Sequence, residues 1–260
     1  MRDARLEREA EIADPARKRF TIARSRSLVS DIVHFDQTVP TCPHYREFDL
    51  RALAEVRSKA EQRYSWPVLF IKAFAILSRD APALRESWIR YPFPHLYRHP
   101  HSVGTLAVRR SHSGEEWLFF APFVQSEDKT LDELQEMLEC FRTDAVETVF
   151  RIQYRFAFFP APVRRIIMWL WMTWMGSKKA KKFGTFGLTT ISSRGAVIQN
   201  PPGILTSTIT YGPISEEGAC RVTITYDHRL MDGWYVAELL ERLEEILKTE
   251  IAAEIAASQS

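Results

Sequence analysis

The clearest alternation of hydrophobic and polar residues lies near the C-terminus, between Arg221 and Leu247. Val222, Ile224 and Tyr226 alternate with threonines, which predicts a half-buried β-strand. The period then changes to that of an amphipathic helix, with glutamates mostly on the polar face. The apolar positions at helical spacing are Val236, Leu239, Leu240, Leu243, Ile246 and Leu247. The stretch therefore predicts a strand, a polar turn and a final helix.

Shorter patterns of the same kinds divide the rest of the chain. Three helices are predicted: over Asp49–Tyr64 with Asp49 as N-cap, over Val68–Ser78 as a buried helix, and over Thr130–Phe141 with a capping box. The segment Ser27–Phe48, with Pro40 and Pro43, is expected to be a loop that leads into a strand at HYREFDL. Four further strands are predicted, of which the first two form a hairpin through Gly114: Ser102–Arg109, Trp117–Val124, Leu188–Ser192 and Gly203–Tyr211.

No internal repeat and no linker-like composition divides these elements. We therefore expect one α/β domain over residues 27–250, in which a mixed sheet is packed against helices. Residues 1–26 are rich in Arg and Glu and are predicted to be a charged arm, and residues 251–260 are predicted to be a C-terminal tail.

Composition narrows the classes of function. Hydrophobic residues make up 45% of the 260 residues, enough for a sizeable core, and the net charge is only +2. A chain without a broad basic excess is not expected to bind nucleic acid. Cys42, Cys140 and Cys220 are widely spaced and form no zinc pattern, so we expect no metal. The N-terminal residues lack an apolar signal segment, which makes a cytoplasmic location the expectation.

The polar turn between the last strand and the last helix holds His228, Asp232 and Gly233. His228 is the side chain there that can accept and return a proton near neutral pH. Asp232 is close enough to fix the geometry of the turn or to pair with a cation, and Gly233 tolerates backbone that a Cβ would resist. From the residues alone, an ordinary hydrogen-bonded histidine in a strand-to-helix turn is the alternative.

The turn reads DHRLMDG, which resembles the HxxxDG signature of the chloramphenicol acetyltransferase family and, more closely, the acyltransferase domains of 2-oxo acid dehydrogenase complexes. Collinear partial matches extend the resemblance over roughly residues 24–248. They are FDLRALAEVR, FIKAFAILSRDAPALRESW, FVQSEDKTLDELQEM, GTFGLTTISS and NPPGIL.

This resemblance implies a chloramphenicol acetyltransferase-like two-layer sandwich that transfers an acyl group from a coenzyme A thioester, with His228 as general base. A backbone carbonyl would fix the histidine tautomer, and Ser192 would stabilise the oxyanion, with Thr189, Thr190 and Ser193 as neighbouring alternatives. Asp232 would pair with Arg24 or Arg26, Arg19 being a third candidate. The resemblance also implies a homotrimer with active sites between subunits.

The family's multienzyme members carry lipoyl domains on long linkers, and this sequence has no room for them, nor for a covalently bound lipoyl group. We therefore expect a stand-alone enzyme that acylates a hydroxyl, amine or thiol. The alternatives are an acyltransferase that acts on a lipoyl domain of another chain, and a non-catalytic homologue that serves as an assembly core.

The block Phe156–Phe183 is longer and more aromatic than its counterpart in that family, and a separate prediction concerns its part 160–182. Ile166–Met175 is nearly all apolar, contains Trp169, Trp171 and Trp174, and is bracketed by Arg and Lys residues. It is about half the ~20 residues that a transmembrane helix requires. We predict that it covers the active-site channel and contacts a hydrophobic substrate or a membrane surface. A helix packed on the core or on a second subunit is the alternative.

Overall fold

The computed structural model of the chain describes residues 22–258, in which one six-stranded mixed sheet is packed against helices. The helices are α1 (Ser27–Asp36), α2 (Arg51–Lys59), α3 (Trp66–Asp80), α4 (Leu131–Thr143), α5 (Val146–Val149), α6 (Arg151–Phe156), α7 (Ala161–Thr173), α8 (Gly176–Phe183), α9 (Gly233–Ile246) and α10 (Ala252–Ala257). The strands are β1 (Thr41–Asp49), β2 (Glu86–Ile89), β3 (His95–Arg98), β4 (Val103–His112), β5 (Glu115–Val124), β6 (Phe186–Thr189), β7 (Ser207–Tyr211) and β8 (Ala219–Asp227). This arrangement confirms the predicted fold class.

The strands of the large sheet are ordered β1-β8-β7-β6-β4-β5, and β2 pairs with β3 separately. Strand β6 runs parallel to both of its neighbours, whereas the β1/β8, β7/β8 and β4/β5 pairs are antiparallel. The β4–β5 hairpin turns at Ser113 and Gly114, both at positive φ, as the sequence predicts for the glycine. Its strands extend three residues and two residues beyond the predicted ends, to His112 and Glu115.

The two faces of the sheet have different environments because side chains alternate along each strand. Leu106 and Phe119 belong to the main core, where buried α3 lies, whereas Thr105, Ala107 and Phe120 line a cavity on the opposite face. Helices α1 and α7 cover this second face through a small cluster that includes Phe35 and Met168, named here the α1–α7 cluster. The face with the cavity is therefore the one on which a ligand can bind.

A buried ion pair joins α1 to α7. The guanidinium Nε of Arg164 donates to Asp31 at 2.6 Å, and Arg165 donates to the other oxygen of Asp31 at 3.2 Å. Asp31 is 1% exposed, and Arg164 also donates to the carbonyl of Phe159. A buried carboxylate needs such donors to offset its desolvation, so this contact fixes α7 against α1.

Several predicted boundaries change in the structure. Asp49 is the last residue of β1, and α2 begins at Arg51 after Leu50, so Asp49 is not the N-cap; its carboxylate still accepts from the amide of Arg51. The predicted capping box of Thr130 and Glu133 is present. Residues 27–36, expected to be loop, form α1.

Two predicted strands and the predicted tail also differ. Strands β6 and β7 are shorter than predicted, because β6 ends at Thr189 and β7 begins at Ser207. The expected C-terminal tail packs as α10, with Ile251 and Ile255 fully buried, so its described part belongs to the core. Most of the predicted arm lies outside the described residues. Within residues 22–258, the helices are too short or too polar to cross a membrane.

Candidate active site

The turn that carries His228 is held by Asp227, the last residue of β8. Asp227 is 1% exposed and accepts two hydrogen bonds from the guanidinium of Arg229, at 2.8 and 2.6 Å, and a third from the Arg229 amide at 3.1 Å. Charge-assisted bidentate pairs of this kind have a defined geometry. The backbone amide of His228 donates to the carbonyl of Pro40 at 2.9 Å, so both sides of the turn are fixed.

A buried lysine lies near this pair. Lys179 on α8 is 3% exposed, and burial lowers its pKa to about 8; Arg229 also lowers this pKa, while Asp227 raises it. The Arg229 guanidinium lies 5.6 Å from the ring centre of Trp88 on β2. The Asp227–Arg229 pair is thus the meeting point of β8, β2 and α8.

The side chain of His228 is exposed, and its ring lies 5.6 Å from the buried ring of Tyr226. Within residues 22–258 its ring nitrogens make no hydrogen bond, so the expected carbonyl partner is not found in the single chain. The physical reason is that the side chain extends from the turn into solvent, away from the carbonyls that the turn itself uses.

Asp232 caps the final helix. Its Oδ1 accepts from the amide of Tyr235 at 2.9 Å, and its backbone is extended, as is usual for an N-cap. The expected pairing of Asp232 with an arginine is not seen within residues 22–258 and stays a prediction. Arg24 donates to the carbonyl of Phe158 instead, and neither it nor Arg26 forms an ion pair with Asp232; Arg19 lies outside the described residues.

Gly233 is required for close packing rather than for an unusual backbone. Its φ is not positive, but a Cβ built on it would lie 3.0 Å from Nε2 of His44 and 3.7 Å from the hydroxyl of Tyr226. The rings of His44 and Tyr226 stack with their centres 5.4 Å apart. The glycine therefore lets the turn approach a second histidine.

His44 and Tyr226 are polar residues near the turn that sequence reasoning missed. Both have a buried polar atom without a hydrogen-bond partner in the described chain, Nδ1 of His44 and the hydroxyl of Tyr226. Burial raises the pKa of Tyr226 to about 12, with a further contribution from Cys42. The alternation of Cys42 and His44 along β1, opposite the end of β8, is the sequence signal from which this shared face could have been predicted.

Ser192 lies far from His228 in the same chain. It begins a short helical turn after β6, and its amide donates to the hydroxyl of Thr190. Burial raises the pKa of Tyr211, and hydrogen bonds with Ser192 and Thr190 oppose that rise. Tyr211 ends β7, whereas the carbonyl of Thr206, just before β7, accepts from Asp227. Ser192 thus lies near one end of β7 and the turn with His228 near the other. At about 3.3 Å per residue, Ser192 and His228 are separated by roughly 15 Å.

The cavity on the open face of the sheet reaches the end of β6 near Ser192. It has a volume of about 180 Å³ and is mostly apolar. Thr189 lines it, whereas Ser192 does not. Its other walls come from α1, β4, β5, α7 and the loop before β7 and include Leu28, Ala107, Phe120, Met168 and Ile204. One chain therefore supplies two separate features, an exposed histidine on a fixed turn and an apolar cavity with hydroxyls.

Solved structures with the same architecture are numerous. A probable dihydrolipoamide acetyltransferase from Listeria monocytogenes matches 90% of this chain and 95% of its own, with 15% identity and a TM-score of 0.64. The dihydrolipoamide acetyltransferase of Azotobacter vinelandii matches 92% and 94%, with 16% identity and a TM-score of 0.65. A chloramphenicol acetyltransferase matches 89% of this chain and 100% of its own, with 11% identity and a TM-score of 0.52.

The chain has the chloramphenicol acetyltransferase-like fold. This finding confirms the fold that the sequence resemblance implies. No protein-family model and no curated protein sequence matches the chain.

The Asp227–Arg229 pair predicts a large stability effect. Arg229→Ala leaves the Asp227 carboxylate buried without its main partner, and we expect the free energy of unfolding to fall by about 3 kcal/mol. Arg242→Ala, which removes a surface pair with Glu245, is the control and should cost less than about 1 kcal/mol. Chemical denaturation measures both, and equal losses would contradict the structural role of Arg229.

Asp232 predicts a different pattern. Asp232→Ala removes the N-cap and should lower the free energy of unfolding by about 1 kcal/mol, and it should also lower the catalytic rate. Asp232→Asn retains a good cap and should be near wild type in stability. An Asn variant as unstable as the Ala variant would point instead to a charged partner. An Ala variant with an unchanged melting temperature but no activity would indicate a direct chemical role.

Proposed function

We propose that the protein is a stand-alone acyltransferase that moves an acyl group from a coenzyme A thioester to a hydroxyl, amine or thiol, with His228 as general base. The observation that carries the proposal is the turn after β8. His228 is exposed there on a rigid support, between the Asp227–Arg229 pair and the helix cap of Asp232. A base must have such a fixed position and must be accessible to substrate.

The spacing of the motif supports this role. The A. vinelandii dihydrolipoamide acetyltransferase was solved to examine one serine, one histidine and one asparagine in its catalytic mechanism, with the histidine and the asparagine four positions apart. His228 and Asp232 are also four positions apart. By analogy, His228 removes the proton from the acceptor as the acceptor attacks the thioester carbonyl, and protonates the departing thiolate of coenzyme A.

The oxyanion of the tetrahedral intermediate needs a hydrogen-bond donor. Ser192 is the candidate that the motif indicates, and Thr189 is the alternative, because the Thr189 side chain lines the apolar cavity. From the length of β7, both lie roughly 15 Å from His228 in one chain, too far for one substrate carbonyl.

We therefore propose a homotrimer in which the histidine of one chain faces the cavity and hydroxyls of the next. An acceptor on the neighbouring chain, such as a backbone carbonyl, would then take a hydrogen bond from one ring nitrogen of His228 and leave the other nitrogen free to act as base. Gly233, held against His44, keeps the turn close to β1. We also propose that residues 160–182 contact lipid, because α7, which lies in this segment, forms one wall of the cavity.

His228→Ala tests the base. We expect the rate of thiol release from coenzyme A esters to fall about 10²- to 10⁴-fold, while the free energy of unfolding stays near wild type, because the side chain is exposed. The donors are acetyl-, octanoyl- and palmitoyl-coenzyme A, with dihydrolipoamide and a hydroxyl acceptor offered in turn. His95→Ala, another exposed histidine, is the control. Wild-type turnover in the His228 variant would remove the mechanism, and no release by wild type from any donor would remove coenzyme A dependence.

Mixing variants tests the shared site. Chains with His228→Ala and chains with Ser192→Ala are each expected to be nearly inactive, and unfolding and refolding them together should restore part of the activity, because some sites then receive both intact groups. The same mixture with Thr189→Val decides which hydroxyl is used. Light scattering that gives a monomer of 30.2 kDa, or mixtures without recovery, would contradict the trimer.

A further inference from the structure

A cationic cleft lies beside the apolar cavity. It has a volume of about 540 Å³, and its walls include four basic side chains, Arg151, Arg155, Lys181 and Lys182. All four are exposed, and none of them forms an ion pair within residues 22–258. Among the described residues, no Asp or Glu lines the cleft. Four unpaired cations around one concave site provide strong attraction for an anion.

The sequence around the cleft has the same charge asymmetry over a longer range. Residues 148–215 contain no Asp or Glu in 68 positions, but they contain nine Lys and Arg residues. The whole chain carries +2, so the remainder carries −7. The excess of positive charge is therefore specific to this segment and is not an overall property of the protein.

The cleft and the apolar cavity are neighbours. Five residues line both: Thr105, Phe120, Gln153, Lys182 and Phe183. Gln153 is fixed there, since its side-chain amide exchanges two hydrogen bonds with the backbone of Phe120, at 2.9 and 2.6 Å, on edge strand β5. The wall between the two sites is thus ordered, with an apolar compartment of about 180 Å³ on one side and a cationic one on the other.

We propose that the two compartments together bind one amphiphile, with its apolar chain in the cavity and a phosphate-bearing head group in the cleft. Arginine and lysine bind phosphate through charge-assisted hydrogen bonds. Apart from Lys182, which the cavity shares with the cleft, the cavity is lined mainly by apolar side chains such as Leu28, Ile32 and Met168, which suit an alkyl chain.

The outer face of α7 favours a membrane lipid as the source of this ligand. Of the eighteen large hydrophobic side chains exposed in the described chain, nine lie between Ile152 and Met175, among them Ile166, Trp169 and Leu170. Met168, on the opposite face of α7, lines the cavity. Trp171 lies on the inner side, where it packs on Phe156 and Phe183. The helix therefore separates an apolar outer surface from the cavity.

A long-chain acyl-coenzyme A is the second source of the same chemistry, and that source alone rests on the proposed function. Both sources present phosphate next to an alkyl chain. Direct binding measurements distinguish them without any assay of turnover, so a failure of the binding site and a failure of the acyltransferase proposal are separate results.

The probe is dodecyl phosphate below its micelle concentration, measured by titration calorimetry. We expect it to bind at least tenfold more tightly than inorganic phosphate and than dodecyltrimethylammonium. Arg151→Gln with Arg155→Gln should weaken it about tenfold or more, as expected for lost charge-assisted hydrogen bonds. The control is Arg63→Gln with Arg79→Gln, two exposed arginines elsewhere, which should leave binding unchanged. Equal binding of the cationic detergent, or equal effects of the two double variants, would overturn the head-group site.

The placement of the alkyl chain in the cavity is tested separately, starting with the wild-type protein. Affinity for butyl, octyl and dodecyl phosphate should rise by up to about fourfold for each added methylene until the cavity is full. Ala107→Leu, which fills the cavity from β4, should reduce this dependence while leaving inorganic phosphate unaffected. The placement of the alkyl chain is overturned if the affinity of the wild-type protein does not depend on alkyl length. It is also overturned if the affinity of Ala107→Leu depends on alkyl length as strongly as that of wild type.

The source is decided with vesicles and with palmitoyl-coenzyme A. Sedimentation with phosphatidylglycerol vesicles that falls as salt rises, is absent with phosphatidylcholine and is lost in Ile166→Asp identifies a membrane lipid. Binding of palmitoyl-coenzyme A without vesicle binding identifies the thioester and leaves the amphiphile site intact. Failure of dodecyl phosphate, vesicles and palmitoyl-coenzyme A to bind would overturn the proposal.

Discussion

The contact between the buried Asp227 and the partly exposed Arg229 is the interaction on which the candidate site depends. A carboxylate that is 1% exposed is stable as an ion only when donors replace its water, and here three donors from one residue do so. The pair closes the turn on itself, which fixes the backbone on both sides of His228. Because Trp88 and Lys179 lie against the same pair, β2 and α8 are held at the same point.

The two faces of the sheet determine where the remaining groups lie. One face is occupied by α3 and the main core, while the other is covered only by the α1–α7 cluster, which the Asp31–Arg164 pair holds in place. This uneven covering leaves the cavity beside β4, β5 and β6. It also separates the hydroxyls at the end of β6 from the turn at the end of β8, since the site elements lie at opposite ends of β7.

Local chemistry could be predicted from the sequence, whereas long-range partners could not. The capping box at Thr130, the hairpin at Gly114 and the buried α3 depend on residues within a few positions of one another, and the structure contains all three. Helix α1 was missed because its apolar stripe is short. The capping role of Asp232 is also local, but the family resemblance directed attention to a distant arginine instead. His44, by contrast, is a long-range partner, because only the pairing of β1 with β8 brings it to Gly233.

Helix α7 illustrates the same limit in its own periodicity. Trp169, Trp171 and Trp174 are close in sequence, yet at about 100° per residue Trp171 lies on the side of Arg164, Met168 and Met172, which are all buried, whereas Trp169 lies on the exposed side. The apolar run therefore forms two rows of side chains on opposite faces of α7.

In the inner row, Met168 lines the cavity and Arg164 pairs with Asp31. In the outer row, Trp169 packs partly on Tyr91, whereas Ile166 and Leu170 stay exposed. The surrounding segment 148–215 contains nine Lys and Arg residues and no Asp or Glu, and two of the nine, Arg164 and Arg165, pair with Asp31. Burial of the outer row against a surface of negative charge lowers its free energy by both the hydrophobic and the Coulomb terms, and this combination favours an anionic lipid over a further copy of the same basic segment.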